Sequence, residues 1–564
     1  MTLFEVWAPA AGRVEVVVEG RSHPMAPGDG GWWRAEAAGG DGTRYAFRLD
    51  GGAALPDPRS RRQPDGPDGA SAVAEHGRFA WRHAWEGRGL PGAVLYELHI
   101  GTFTAEGTFD AAAERLGHLA RLGITHVELM PVCPFPGRHG WGYDGVAPWA
   151  VHEPYGGPEG LKRFVDSAHG HGLGVVLDVV HNHLGPSGNH LPAYGPYFTD
   201  AHQTPWGAAV NLDGPGSDEV RAYFLGSVLA WLRDYRIDGL RLDAVHELRD
   251  DRALHFLEEL SALVDLEGHG VGRPYFLIAE SDRNDPRVIT PRKAGWGVHA
   301  QWNDDFHHAL HTFLTGESHG YYADFAADPR AALTKTLGGG FFHDGTYSTF
   351  RGRRHGRPLP PETPRHRLVT YAQTHDQIGN RATGDRLAAS LTAGQLAGAA
   401  ALVLLSPATP MLFMGEEWGA RTPWQYFTDH TDPELARAVR EGRRREFAEH
   451  GWDAAEVPDP QDPATRDRSC LDWTEPERQP HQALLEFYRE LIELRRSDPA
   501  FTSAELRICG EGRCVQLHRG PYVVAVNLGD EPAPLHPGCD TLLASWGDAS
   551  LGRDLPPESV AVLR

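Results

Sequence analysis

Eight short apolar runs recur between Val94 and Met414, separated by segments whose apolar residues fall at spacings of three and four, and this alternation constrains the fold more than any other feature of the chain. The runs cover residues 94–98, 125–129, 175–179, 239–242, 276–279, 298–302, 369–371 and 411–414. Amphipathic helices are predicted between them, for example over 109–122, 161–169, 218–235 and 391–405. A strand covered on both faces reads as an unbroken apolar run, and its parallel neighbour is reached through a crossover helix. Eight such repeats predict an α/β chain built on a closed (β/α)8, or TIM, barrel.

The flanks have a different period. Short alternating segments such as 4–7, 14–18 and 45–49, parted by Gly, Pro and Asp clusters, predict an N-terminal immunoglobulin-like β-sandwich over 1–88. Residues 50–77, rich in Gly, Pro, Asp and Arg, read as a linker or a long wrapping loop. The barrel domain is then expected over 89–500, with insertions at about 181–215 and 303–367, and a small C-terminal β domain over 501–564.

Composition restricts the function classes. The formal net charge is −22, from 54 basic and 76 acidic residues, which argues against nucleic acid or an anionic membrane as a partner and favours a neutral ligand. No apolar run approaches the roughly 20 residues needed to cross a bilayer. The opening residues MTLFEVWAPA lack a basic segment followed by an apolar one, so a cytoplasmic location is expected. Five scattered cysteines (Cys133, Cys470, Cys509, Cys514 and Cys539) have no paired metal spacing and suit a reducing compartment, and no zinc site is expected.

Catalytic groups of such a barrel sit just beyond the C-terminal ends of its strands. Four polar clusters occupy that position: Asp178 in VVLDVVHNH, Arg241 and Asp243 in DGLRLDAVH, Glu280 in FLIAES, and His375 with Asp376 in THDQIGN. One acidic residue after a strand is ordinarily a helix cap or a salt-bridge partner. Four clusters ending four strands are a different matter. Acetal cleavage with retention needs a nucleophilic carboxylate and a proton-donating one about 5 to 5.5 Å apart. Asp243 and Glu280 end successive strands, and Arg241, two residues before Asp243, is placed to offset their repulsion.

These clusters resemble the successive sequence regions of the α-amylase family of glycoside hydrolases over roughly residues 90–500. The resemblance implies Asp243 as nucleophile, Glu280 as general acid/base and Asp376 as a third carboxylate that binds sugar hydroxyls. It implies Arg241, His183 and His375 as a polar clamp around the sugar at the cleavage point, Tyr143 of HGWGYDG as the aromatic platform beneath it, and Asp178 as support. No cofactor is implied. Asn182 matches a residue that binds calcium in many α-amylases, but His246 and Glu247 stand where a Lys-His pair usually follows the nucleophile, and no metal site is expected.

The front β domain narrows the resemblance to members acting on branched or modified α-glucans. Stretches such as YELHIGTFTAEGTF (96–109), RLDAVHEL (241–248), QTHDQIGNRATGDRL (373–387) and MLFMGEEWGARTPWQYFTDH (411–430) resemble trehalose-releasing hydrolases. The expected substrate is then maltooligosyltrehalose or a related α-glucan oligosaccharide, with trehalose as product and functional pairing with the synthase that makes the substrate. His246, Glu247, Glu416, Glu417 and Trp424 are the expected trehalose contacts, whereas Trp206 and Trp302 read better as core. Two alternatives remain: a glycogen branching enzyme, which the 301–311 segment QWNDDFHHALH also resembles, and a non-catalytic α-glucan-binding protein. Branching enzymes typically carry Ser-His-Asp-Glu after strand seven, where this chain has Thr374, His375, Asp376 and Gln377.

Overall fold

The computed structural model describes residues 1–449, 456–503, 505–535, 541–548 and 554–564. Its centre is a closed barrel of eight parallel strands. These are β1 (Leu95–Leu98), β2 (His126–Leu129), β3 (Gly174–Val179), β4 (Gly239–Leu242), β5 (Phe276–Ala279), β6 (Ala300–Trp302), β7 (Leu368–Thr370) and β8 (Thr409–Phe413). Every residue of β1 to β8 is buried, which is why each strand reads as an apolar run with no alternation. The crossover helices match the helical spacing closely, at Gly157–Gly170, Ser217–Asp234 and Ala393–Leu404. The predicted helix over 109–122 is two helices, Phe109–Ala113 and Leu116–Leu122.

Ahead of the barrel, Thr2–Trp7 pairs with Trp32–Ala37, and Val14–Val18 pairs with Arg21–Pro24 and Arg44–Leu49, giving a three-stranded and a five-stranded antiparallel sheet. After it, five strands from Arg507–Cys509 to Ser559–Leu563 form an antiparallel sheet against helices His481–Ser497 and Ala393–Leu404. Cys133, Cys470, Cys509 and Cys514 are free thiols, and Cys539 lies outside the described residues. Among the described residues, no helix is long and apolar enough to cross a membrane.

The segment 50–77 is a strap docked on both neighbours, which is the wrapping loop of its two readings and not a free linker. Asp57 accepts from the Tyr45 hydroxyl at 2.7 Å, and Arg61 and Arg62 reach Asp234 and Glu153 of the barrel at 2.5 and 2.6 Å. The Arg59 guanidinium lies 4.9 Å from the ring of Trp32 in the front sheet and 5.4 Å from that of Trp149 in the barrel. Its polar composition left the two readings open, because the docking uses charges and cation–π contacts instead of an apolar stripe.

Burial pushes the Asp57 carboxyl above its ordinary range, and the Tyr45 hydrogen bond opposes that. Tyr45→Phe leaves a buried acceptor short of a partner, a loss of about 1–3 kcal/mol. The urea midpoint is expected to fall while the turnover of the folded enzyme stays at the wild-type value.

Candidate active site

The parallel register of β4 and β5 opposes Leu242 to Ala279, and the Glu280 N–H continues the ladder to the Leu242 carbonyl at 2.9 Å. Asp243 and Glu280 therefore leave adjacent strands at one level, as their positions after the apolar runs predict. The chain turns sharply at Ala244, a non-glycine residue held at φ 39° and ψ 52°. That left-handed turn aims the Ala244 N–H at Glu280 Oε2, while the Val245 N–H reaches the Glu280 carbonyl at 3.0 Å. A strained backbone here fixes a carboxylate.

Arg241 organises the acids. It is fully buried, with Nη1 donating to Asp178 Oδ2 at 2.6 Å, to Asp243 Oδ1 at 3.0 Å and to the Tyr143 hydroxyl at 3.3 Å, while Nη2 lies 3.8 Å from Glu280 Oε2. Its guanidinium centre stands 4.3 Å from the Trp302 ring centroid. Trp302 is thus core, as expected, and forms the floor on which Arg241 rests. Asp243 Oδ2 accepts from the Asn182 side chain at 2.8 Å, and the other end of that amide meets His183 Nδ1 at 2.6 Å. Asn182 holds the predicted nucleophile, a contact the calcium comparison gave no reason to expect.

Tyr143 donates to Asp178 at 2.7 Å, and its ring stacks on His375 at 5.1 Å between centroids. Gly142 makes this approach feasible: at φ 101°, a Cβ there would lie 2.3 Å from the Pro131 carbonyl oxygen. Asp376 is 42 % exposed, with Oδ1 3.5 Å from His375 Nε2. Burial pushes the Glu280 carboxyl well above the ordinary range; Arg241 opposes the effect, and Asp243, Asp376 and Asp304 add to it. Burial also lifts Asp304 to about 7 despite its hydrogen bond from Tyr371.

A cavity of about 400 Å³ brings together Tyr143, His183, Asp243, His246, Glu280 and Asp376, with Trp141, Asp144, Trp206, Tyr426 and Thr428 also on its wall. Trp206 corrects its core reading: at 51 % exposure it sits between hairpin strands Phe198–Thr204 and Gly207–Val210 and stacks on His183 at 4.1 Å and 10°. Glu417 is corrected the other way. It is fully buried, accepting from Tyr96 at 3.1 Å and lying 2.9 Å from His118, so it seals the wall between β8 and β1 away from the cavity. Glu416 and Trp424 are buried as well, Glu416 against Tyr488 and Trp424 against Trp141. Glu247 pairs with Arg249 at 2.9 Å and is absent from the cavity wall, which His246 does line.

Asp144, Tyr426 and Thr428 escaped the sequence reading, although they lie inside two quoted stretches; their signal was position beside a strand end, which does not separate wall residues from packing ones. One cluster outside the cavity, His202, Asp213 and Asp251, brings potential ligand atoms within 4.8 Å of one another, where none was expected. Asp213 there accepts from His202 at 2.9 Å and from the Asp251 N–H at 3.0 Å.

The family model described as "Alpha amylase, catalytic domain" matches residues 68–192, and one described as "Domain of unknown function (DUF3459)" matches 503–562. The chain is 56 % identical to a malto-oligosyltrehalose trehalohydrolase of Arthrobacter ramosus, over 97 % of this chain and 96 % of that one. It is 51 % identical to the protein of that name in Mycobacterium tuberculosis strain H37Rv, over 100 % and 99 %. A crystal structure titled as a putative alpha amylase from Salmonella typhimurium superposes with a TM-score of 0.91 at 39 % identity, over 99 % of this chain and 97 % of that one.

The turn at Ala244 makes a direct test. Ala244→Gly, at home with positive φ, is expected to keep activity within about threefold, whereas the β-branched Ala244→Val has to leave that conformation and lowers kcat by about tenfold or more. Steady-state kinetics on the two purified variants, with melting temperatures to confirm folding, check the difference.

Proposed function

The chain belongs to the malto-oligosyltrehalose trehalohydrolases of the α-amylase family, and from that premise we propose how its residues carry out the reaction, with Asp243 as nucleophile, Glu280 as acid/base and Asp376 as the third carboxylate. The enzyme is a retaining glycoside hydrolase that cleaves the α-1,4-glucosidic bond next to the terminal trehalose unit of maltooligosyltrehalose and releases trehalose. The observation that carries the assignment of roles is the pair of carboxylates on adjacent strand ends tied to one buried guanidinium.

Asp243, its two oxygens oriented by Arg241 and Asn182, attacks the anomeric carbon of the glucose at the cleavage point. Glu280, whose carboxyl burial pushes well above the ordinary range, gives its proton to the glycosidic oxygen as that bond breaks, and trehalose departs. The glucosyl unit is then held as a β-linked ester on Asp243. Glu280, now a carboxylate, takes a proton from an incoming water, whose oxygen attacks the anomeric carbon and frees Asp243. Asp376 and His375 bind ring hydroxyls, and the Tyr143 ring supports the apolar face of the sugar. Trp206 offers a second aromatic face beside His183.

Selectivity for the trehalose end is assigned to the mouth around His246. Asp282 stands 3.9 Å from His246 Nε2 and is held by Arg351 at 2.8 Å, so the 303–367 insertion shapes that side. The α,α-1,1 linkage at the reducing end has to be made by another enzyme, which supports functional pairing with maltooligosyltrehalose synthase.

Asp243→Asn and Glu280→Gln are expected to fold normally and lose about 10³-fold or more in kcat, because each removes a group that acts chiefly in the transition state. Trapping of a glucosyl-enzyme by a fluorinated glucosyl donor, with mass spectrometry locating the label, checks the nucleophile; a label on any residue other than Asp243 would overturn the assignment.

Substrate choice is tested separately. The kcat/KM ratio of maltotriosyltrehalose to maltopentaose is expected to exceed tenfold, about 1.4 kcal/mol of differential transition-state binding. Products resolved by chromatography should be trehalose and maltotriose, whereas new α-1,6 branches on amylose would indicate the branching reaction.

A further inference from the structure

His375 is buried behind the cavity wall, under Tyr143 and beside Asp376, and its other edge is turned into the barrel, against a residue with no part in the chemistry described above. Glu97, the third residue of β1, is 1 % exposed. Its Oε1 lies 2.5 Å from His375 Nδ1, and its Oε2 accepts the His375 backbone N–H at 3.1 Å. One carboxylate thus grips both the ring and the backbone of His375.

The directions of the surrounding hydrogen bonds decide the state of the ring. Asp178 Oδ2 accepts from Arg241 Nη1 at 2.6 Å, so it has to accept from the Tyr143 hydroxyl as well, at 2.7 Å. The single Tyr143 hydroxyl proton is therefore committed to Asp178. His375 Nε2, 2.8 Å from that hydroxyl oxygen, has to be the donor. On the other edge, Nδ1 meets Glu97 Oε1, and toward an ionised carboxylate, which can only accept, it donates too. A ring that donates at both nitrogens carries a positive charge.

We propose that Glu97 is a positioning residue that holds His375 as a doubly protonated imidazolium, so that a fixed cation stands behind the sugar site, its Nε2–H holding the Tyr143 hydroxyl and its charge set beside Asp376. A neutral ring that keeps its proton on Nδ1 for Glu97 turns a lone pair toward the Tyr143 hydroxyl oxygen and loses that contact. The imidazolium also stands beside Asp376, 3.5 Å from Nε2, and keeps that carboxylate paired.

The other groups around the ring are Asp376 on its own segment, Tyr143 from the loop after β2, Arg241 on β4 and the indoles of Trp141 and Trp302, with Trp424 donating to the His375 carbonyl and Glu128 of β2 opposite Glu97 in register. Burial and Arg241 oppose the charge, whereas Glu97 and Asp376 favour it, and the balance lifts His375 to about 9.

The inference rests on the proposed role of His375 in sugar binding, but the charge on the ring is measurable without substrate. In protein labelled with ¹⁵N-histidine, with the His375 signals identified by their loss in His375→Gln, both ring nitrogens are expected to be protonated at pH 7.5. In Glu97→Gln, which keeps an acceptor but removes the charge, the ring is expected to be neutral at that pH. The alkaline limb of kcat is then expected to move down by about two pH units, toward the ordinary imidazole range near 6.5, with activity at pH 5.5 falling much less. Glu97→Asp, which keeps the charge, is expected to retain the wild-type limb even where kcat drops.

A neutral His375 in the wild-type protein at pH 7.5 would overturn the proposal, and that reading stands alone should Glu97→Gln fail to fold. A folded Glu97→Gln enzyme in which both ring nitrogens of His375 stay protonated at pH 7.5 and kcat drops equally at every pH would overturn it too, since that is the signature of a merely structural residue. Loss of the limb shift with the ¹⁵N result intact would fault the role of His375 in sugar binding and leave its charge standing.

Discussion

The buried guanidinium of Arg241 is the contact on which the rest of the site depends. Isolated carboxylates gathered in a low-dielectric barrel mouth repel one another and take up protons. Arg241 joins Asp178 and Asp243 through one nitrogen and stands near Glu280 with another, on the face of Trp302. The arrangement is asymmetric. Asp178 and Asp243 receive its hydrogen bonds at 2.6 and 3.0 Å, while Glu280, at 3.8 Å, is left to its burial. That difference separates a carboxylate with fixed, charged donors from one that keeps a proton to donate, as two carboxyl groups doing opposite work require. Lysine could not replace Arg241, since its single ammonium cannot span these partners from one planar fork.

The barrel and the core of the site were legible because both leave one-dimensional signals. Strands covered on both faces print as apolar runs, and reactive groups fall at the first or second residue beyond them, so β4 and β5 could be bounded to the residue and Asp243 and Glu280 located from them. The strap over 50–77 was legible only as a linker or a wrapping loop, because it is held by Arg59, Arg61 and Asp57, whose partners lie as far off as Tyr223 and Asp234. Polar composition marks a loop but not whether the loop is free. Glu417 and Trp206 exchanged places for a related reason. An acidic residue after β8 looks solvent-facing until His118 and Tyr96 are seen to enclose it, and a tryptophan looks like core until its hairpin carries it to the cavity rim.

The interior of the barrel mouth shows a further economy of charge. Glu97, Glu128 and Asp178 project from three adjacent strands toward Arg241 and His375. Burial pushes Glu128 well above the ordinary carboxyl range and so toward its neutral form, with Glu97 and Asp178 adding to that and Arg241 opposing it. Asp178 is lifted by burial to about 6, with Arg241 opposing, and is mostly ionised at neutral pH. Two cations, Arg241 and the imidazolium inferred for His375, then face the two interior acceptors Asp178 and Glu97. The acids at the surface of the cavity are added to an interior that is already close to balanced.

Chemistry and selectivity are built from different parts of the chain, and this explains how one barrel serves several α-glucan reactions. Every group assigned to bond breaking sits within two residues of a barrel strand or in the segment directly after β7, where the ladder fixes it. The mouth is shaped instead by insertions: the hairpin carrying Trp206, and the 303–367 segment. The latter is pinned to the loop after β5 through Arg351 and the His355 ring, which contact the Asp282 carboxylate at 2.8 Å and its carbonyl at 2.7 Å, and through Asp305, which accepts from the Asn284 side chain at 2.7 Å. Those contacts converge two to four residues beyond Glu280. A change in the insertion therefore alters what stands next to His246 without displacing the acid itself, whose own anchors are the Leu242 carbonyl and the Ala244 N–H. The proposed selectivity therefore falls to the insertion side of the mouth, and the proposed bond breaking to the strand ends.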